Sequence, residues 1–251
     1  AFRVGSREST GDDGFNLNRV FVEDAGKTPA MAGITHRIVS FVRECIWPHV
    51  HISIDLHSGG EVARFAHWAG FFTCDDPGVN ERREQMARWF GVPVVMGNIN
   101  SSSDGISISR GLYQEADDLG KYAIGTELGY GSSVDVRGVR YARQGVLAAA
   151  IHHDQLSGTI EPIGHHADGT QVLARGGAAE LAPYPGHYEP LIECGERVVM
   201  GQVVGLLHDF YRLDEEPFKI KAGADGMVVT QAWGARVEQG QTILLVANEI
   251  G

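Results

Sequence analysis

Between residues 50 and 57, apolar and polar side chains alternate without a break. Val50, Ile52, Ile54 and Leu56 fall on one face, and His51, Ser53, Asp55 and His57 on the other. A two-residue period predicts a strand with one face packed. Upstream, Thr28-Pro29 reads as an N-cap followed by an N1 proline. Met31, Ile34, Ile38, Phe41, Val42 and Cys45 then recur at helical spacing. Asp76-Pro77 opens a second helix, with Val79, Met86, Ala87 and Phe90 on one face and Gly91 as its stop. Val92 to Met96 is a short apolar strand. Residues 97–109 (GNINSSSDGISIS) are polar and predict a long loop near a site. Tyr122 to Leu128 is a further strand, and Val139, Ala142, Val146 and Ala150 mark a closing helix. This alternation predicts an α/β fold, a mostly parallel sheet flanked by helices.

Near residue 155 the pattern changes to short β-like runs between Gly, Pro and Asp turns. Two domains are therefore expected, 1–155 and a β-rich 156–251. The second contains a repeat, since GERVVMGQVVGLL at 195–207 matches GARVEQGQTILLV at 234–246 in Gly, Arg, Val, Gly and Gln. A duplicated strand-turn-strand unit predicts an all-β barrel-sandwich-like domain, and the alternative is two unrelated hairpins with similar turns. The repeat resembles a biotinyl/lipoyl carrier fold. The stretch after Leu207, HDFYR, has no lysine, and Lys219 and Lys221 come later, so carrier function is disfavoured.

Composition narrows the partners. Among 251 residues, 21 Lys and Arg against 32 Asp and Glu give a net charge of −11. That disfavours nucleic acid or an anionic membrane, both of which need basic surface. No apolar run approaches a membrane span. Three separated cysteines, Cys45, Cys74 and Cys194, fit a reduced compartment and supply no thiolate cluster. A cytoplasmic location follows as an expectation. The chain opens at Ala1 and its first methionine is Met31, which reads as a processed, trimmed or shortened terminus.

Three segments could carry chemistry. Asp55 and His57 share the polar face of a strand that leaves through Ser58-Gly59-Gly60, a turn that admits close approach of a ligand. The alternative is a solvent-facing edge strand with an ordinary histidine. Glu127 ends a strand behind Ala123 and Gly125, small residues that leave room for a substrate beside a carboxylate able to move protons. The alternative is a salt-bridged surface glutamate. Residues 7–19 (RESTGDDGFNLNR) place Arg7, Asn18 and Arg19 where guanidinium and amide groups could bind a carboxylate. The alternative, a basic surface loop, is weakened by Asp12 and Asp13.

In their order and spacing, FNLNRVF at 15–21, DLHSGG at 55–60 and GTELG at 125–129 resemble the succinylglutamate desuccinylase/aspartoacylase family. The DGFNLNRVF and DLHSGG forms look most like its N-acetyl-diaminobutyrate deacetylases of ectoine breakdown. The resemblance implies a zinc amidohydrolase with a carboxypeptidase-like α/β fold and a β-rich C-terminal domain. It implies His57 as a zinc ligand and Glu127 as general base and acid. It further implies that Asn18 and Arg19 hold the substrate carboxylate, that Arg7 polarises the scissile carbonyl, and that Asp55 orients the site. The substrate would be a small N-acyl amino acid, cleaved by zinc-activated water.

The family draws its other two zinc ligands from an H-x-x-E segment upstream of the NR segment, and none occurs here. The remaining ligands are therefore expected upstream of Ala1, with Zn2+ binding and activity of this chain in question. Two further readings stay open: a carboxypeptidase-like peptidase, and a metal-free carboxylate-binding module retaining Asn18 and Arg19. A homo-oligomer is a further expectation.

Overall fold

A computed structural model describes residues 8, 12–23, 33–97, 111–131, 133–160, 171–212 and 214–250. Arg7, the Thr28-Pro29 cap and nearly all of the loop at 97–109 lie outside the described residues. The helices are α1 (Leu17–Glu23), α2 (Ile34–Phe41), α3 (Pro77–Arg88), α4 (Leu112–Asp118) and α5 (Val136–His152). A π turn at Val42–Ile46 and a 3-10 turn at Trp47–His49 extend α2. The strands of the first half are β1 (Ile52–His57), β2 (Ala63–Phe65), β3 (Trp68–Phe71), β4 (Val94–Gly97) and β5 (Tyr122–Glu127). The second half supplies β6 (Val172–Leu181), β7 (Gly186–Pro190), β8 (Arg197–Val198) and β9 (Val203–His208). It ends with β10 (Phe218–Lys221), β11 (Gly226–Ala232), β12 (Arg236–Val237) and β13 (Thr242–Ile250).

The expected α/β architecture with an additional β-rich part is present. One nine-stranded sheet runs β1-β5-β3-β4-β6-β13-β11-β2 with β8 also on β11, and a four-stranded sheet runs β10-β9-β7-β12. The larger sheet is mixed. β4 pairs in parallel with β3 and β6, whereas β3–β5, β6–β13 and β11–β13 are antiparallel. Because β4 pairs directly with β6, hydrogen bonding continues from the α/β half into the C-terminal half.

The chain forms two compact units: Ala1–Asp55 with Ile108–Ile124, and Leu56–Ser107 with Gly125–Gly251. In the first, Val20, Phe21 and Val39 form a small core with Val42 and Leu112 packed on it. Helix α2 has no side-chain cap of its own at Gly33, and the Asp13 carboxylate accepts from Thr35 N and Thr35 Oγ1 at 2.7 Å each. That satisfies a donor that the first helical turn leaves open.

In the second unit, Asp76 caps α3 as its sequence signature predicts, accepting from Gly78 N at 2.8 Å and Val79 N at 3.2 Å. The C-terminal repeat is real in structure. After Val198 and after Val237 the chain makes the same turn: Gln202 N donates to Val199 O and Gln241 N to Glu238 O, both at 3.0 Å. Each glutamine side chain closes the turn, accepting from Val199 N at 3.2 Å and from Glu238 N at 3.1 Å. Gly201 and Gly240 take φ of +84° and +78°, which explains why glycine precedes glutamine in both copies. The copies swap sheets. β8 joins the large sheet and β9 the small one, whereas β12 joins the small sheet and β13 the large one. Val198, Val204, Leu207, Val237, Ile243 and Leu244 meet in the core between them. This is the symmetric sandwich that the repeat predicts.

Candidate functional site

The second unit brings His57 and Glu127 side by side. Strands β1 and β5 run parallel, because Tyr122 N donates to His51 O and Leu128 N to His57 O, both at 2.9 Å, with equal steps along each strand. That register sets His57 level with Glu127, and level residues of a parallel pair face the same side. His57 N also lies 3.3 Å from Thr126 Oγ1. Beyond the strand ends the turns are joined. Gly59 N donates to Gly129 O at 2.9 Å and Gly131 N to Gly60 O at 2.6 Å. Both side chains are half-buried at the strand ends. On its other side, Glu127 is in register with Trp68 of β3, which is buried.

The segment after Glu127 is braced by residues that no sequence pattern singled out. The Arg64 guanidinium lies 5.2 Å from the centre of the Tyr130 ring, and Trp233 of the C-terminal half packs on that ring at 4.8 Å. Asp135 caps α5 by accepting from Gly138 N at 2.6 Å, and its Oδ1 is 3.2 Å from His67 Nε2. A side chain at Gly138 would meet the Leu128 carbonyl, so glycine lets α5 sit directly on the residue after Glu127.

Burial holds the His67 pKa below its ordinary value, more than Asp135 raises it. The folded protein therefore takes up this proton at lower pH than the unfolded chain. Stability from neutral His67 is present above the unfolded value of about 6.5 and is lost as pH falls through the lowered folded value. Urea midpoints measured from pH ~7 to ~5 should fall more steeply for the natural protein than for His67→Gln. Parallel curves would remove His67 from the acid response.

The first unit holds Asp55, Asn18 and Arg19. Asp55 is half-buried in β1. Asn18 and Arg19 open α1 rather than lying in a loop, and both are half-buried. Asn18 Oδ1 accepts from Leu112 N at 2.7 Å, which satisfies the first N–H of α4. This orients the amide so that its Nδ2 end faces away from that bond. Asn18→Ala should cost about 1 kcal/mol through loss of the α4 contact. Asn18→Asp keeps the acceptor, so its urea midpoint should stay near the natural value. If Asn18 also binds a substrate carboxylate, Asn18→Asp alone raises KM, by roughly tenfold.

One expectation about β1 is reversed. Its apolar face is not buried at the strand end: Leu56 is 49% exposed and Ser53 only 6%. β1 ends the strand order of the sheet, and among the described residues no apolar element covers Leu56. Among the described residues, moreover, no three His, Cys, Asp or Glu side chains converge as a metal ion requires. His57 is thus one donor where zinc needs three from protein. The donor set described does not fit a zinc centre.

Comparison with known proteins agrees with the motifs. Residues 1–153 match the succinylglutamate desuccinylase/aspartoacylase catalytic domain. The N-alpha-acetyl-L-2,4-diaminobutyric acid deacetylase of Halomonas elongata is 24% identical over 98% of this chain and 69% of its own length. The crystal structure of a succinylglutamate desuccinylase/aspartoacylase from Rhodobacter sphaeroides superposes with a TM-score of 0.84 at 25% identity. That match covers 100% of this chain and 72% of the other. The product-bound ectoine utilization protein EutE from Ruegeria pomeroyi shares the fold, with a TM-score of 0.82 at 23% identity over 99% of this chain and 72% of that one. No helix among the described residues is long and apolar enough to cross a membrane. With more than half of its length matched by the family's catalytic domain, the chain belongs to the succinylglutamate desuccinylase/aspartoacylase family.

Proposed function

We propose that this chain serves the hydrolysis of the amide bond of a small N-acyl amino acid, with Glu127 as the group that moves the proton. The observation that carries this is the level placement of Glu127 and His57 at the ends of two parallel strands, with the turns beyond them hydrogen-bonded together. A carboxylate at such an end takes a proton from attacking water as the new C–O bond forms. It returns that proton to the nitrogen as the C–N bond breaks, so that acid and amine leave in balance. In this reading Asn18 and Arg19 hold the substrate carboxylate, Arg7 polarises the carbonyl and Asp55 orients the site. Zinc, which the family resemblance implies, finds no set of three donors among the described residues, and no step is derived through it.

The diaminobutyrate deacetylase of H. elongata points to N-acetyl-L-2,4-diaminobutyrate as the first substrate to try. Amine release from it, from N-succinylglutamate and from a short unacylated peptide tests the proposal. Release from an acyl amino acid but not from the peptide is expected. Cleavage of the peptide alone would establish the peptidase reading instead, and no release from any of them, with or without added zinc, would reject hydrolysis.

A further inference from the structure

The second unit contains a cavity of about 580 Å³ that Glu127 and His57 do not line. Its volume lies within the range of small-molecule sites. Three features of its wall define the chemistry it would accept. The first is a paired cation. Arg64 Nη1 lies 2.6 Å from Glu193 Oε2, and the Tyr130 ring lies beneath the guanidinium. The ion pair is exposed, so Glu193 biases the direction of the fork without locking it. The second is Arg137, in the first turn of α5, which is exposed and has no ion-pair partner among the described residues. Arg64, Arg137 and His67 all line this cavity. The third is Asp135, the one carboxylate in the wall, already engaged with Gly138 N and His67.

With Glu193 counted against Arg64, the two guanidiniums and the two carboxylates cancel when His67 is neutral, and Arg137 is the cation with no ion-pair partner among the described residues. One such cation suits a monoanion. A dianionic phosphate would face Asp135 at close range, and a cation would face two arginines. Phe65, Pro93 and Val134 add an apolar wall for a short alkyl or acyl arm.

We propose that this cavity is a second binding site, taking a small organic monocarboxylate between Arg64 and Arg137. The site stands whether or not the chain hydrolyses amides. Amide NMR of the full chain, titrated at constant ionic strength with acetate and separately with N-acetylglycine, tests it. Resonances of Arg64, His67, Tyr130 and Arg137 should shift and saturate with at least one of them. The tighter ligand shows whether the site reads a bare acid or the carboxylate of an acylated amino acid. Neutral acetamide should leave these resonances in place. Arg137→Ala should weaken binding about tenfold, as expected for loss of one charge-assisted contact, with Arg64→Gln acting in the same direction. Glu127→Gln should bind as the natural protein does. Arg137 is exposed, so its variant should retain its fold, and circular dichroism checks this. Absence of saturable shifts with both acids, equal shifts with acetamide, or undiminished binding by the Arg64→Gln/Arg137→Ala double variant would overturn the proposal.

Discussion

Replacing Glu127 with glutamine is expected to lower kcat for N-acyl amino acid hydrolysis about 1000-fold while leaving the fold intact. The substitution keeps the shape and one carbonyl acceptor but removes the carboxylate proposed to accept a proton from water. KM should move little, because the lost interaction belongs to the transition state rather than to substrate binding. The choice of Glu127 rests on position. Asp135, another carboxylate of the same unit, is committed to capping α5 and to His67. Glu127 stands level with His57 and beside the small residues Gly125 and Gly70, which pair across β5 and β3. Glu127→Asp, with a shorter arm carrying the same acid, should recover part of the rate. The acid limb of the pH-rate profile should vanish in Glu127→Gln and persist in Glu127→Asp. Retention by Glu127→Gln of more than about a tenth of the natural kcat would exclude it as the proton carrier. A rise in KM alone would recast it as a binding residue.

The parts of this molecule legible in its sequence are those set by short-range chemistry. Asp76-Pro77 states a helix start locally, and the structure uses both residues in those roles. The Gly-Gln pairs at 201–202 and 240–241 state their turns in the same way. The motifs around His57 and Glu127 carried the family, and strand pairing then placed the two residues together. Strand β3 was not legible because its buried residues, Trp-Ala-Gly-Phe, show no alternation and include Ala and Gly at the centre, whereas the equally buried β4 announces itself by its valines. Helix α4 was hidden for another reason. It is one short helix whose first N–H is satisfied by Asn18, 94 positions earlier in the chain. No local pattern reports a partner at that distance. The same holds for Trp233, whose place against Tyr130 depends on how β11 joins the large sheet. Leu56 misled because alternation reveals two faces without stating which one the rest of the chain covers.

Glu115→Ala is expected to destabilise the first unit by about 3 kcal/mol, the largest stability change foreseen for a single side chain there. Glu115 of α4 gathers three donors. Arg43 approaches it with Nε at 2.9 Å and Nη2 at 2.6 Å from Oε2, and Trp47 Nε1 donates to Oε1 at 2.7 Å. The carboxylate side chain is 16% exposed and the guanidinium 29%, so solvent screens the pair only in part. Removing the carboxylate leaves a half-buried cation and an indole N–H without their acceptor, and that desolvation penalty dominates the cost. Arg43 Nη2 also donates to Phe21 O at 2.9 Å, which ties α4 to the end of α1 through the π turn. The damage should therefore reach the helix that carries Asn18 and Arg19. Glu115→Gln keeps one acceptor and should lose about half as much. Pairing Glu115→Leu with Arg43→Met removes both charges and should recover part of the loss, because an apolar pair of similar volume carries no desolvation cost. Urea unfolding of the single and double variants measures these differences, and the exchange rate of the Trp47 indole proton reports the local contact. A loss below about 0.5 kcal/mol in Glu115→Ala, with that proton still protected, would show that α4 is held by its packing on the small core and not by this ion pair.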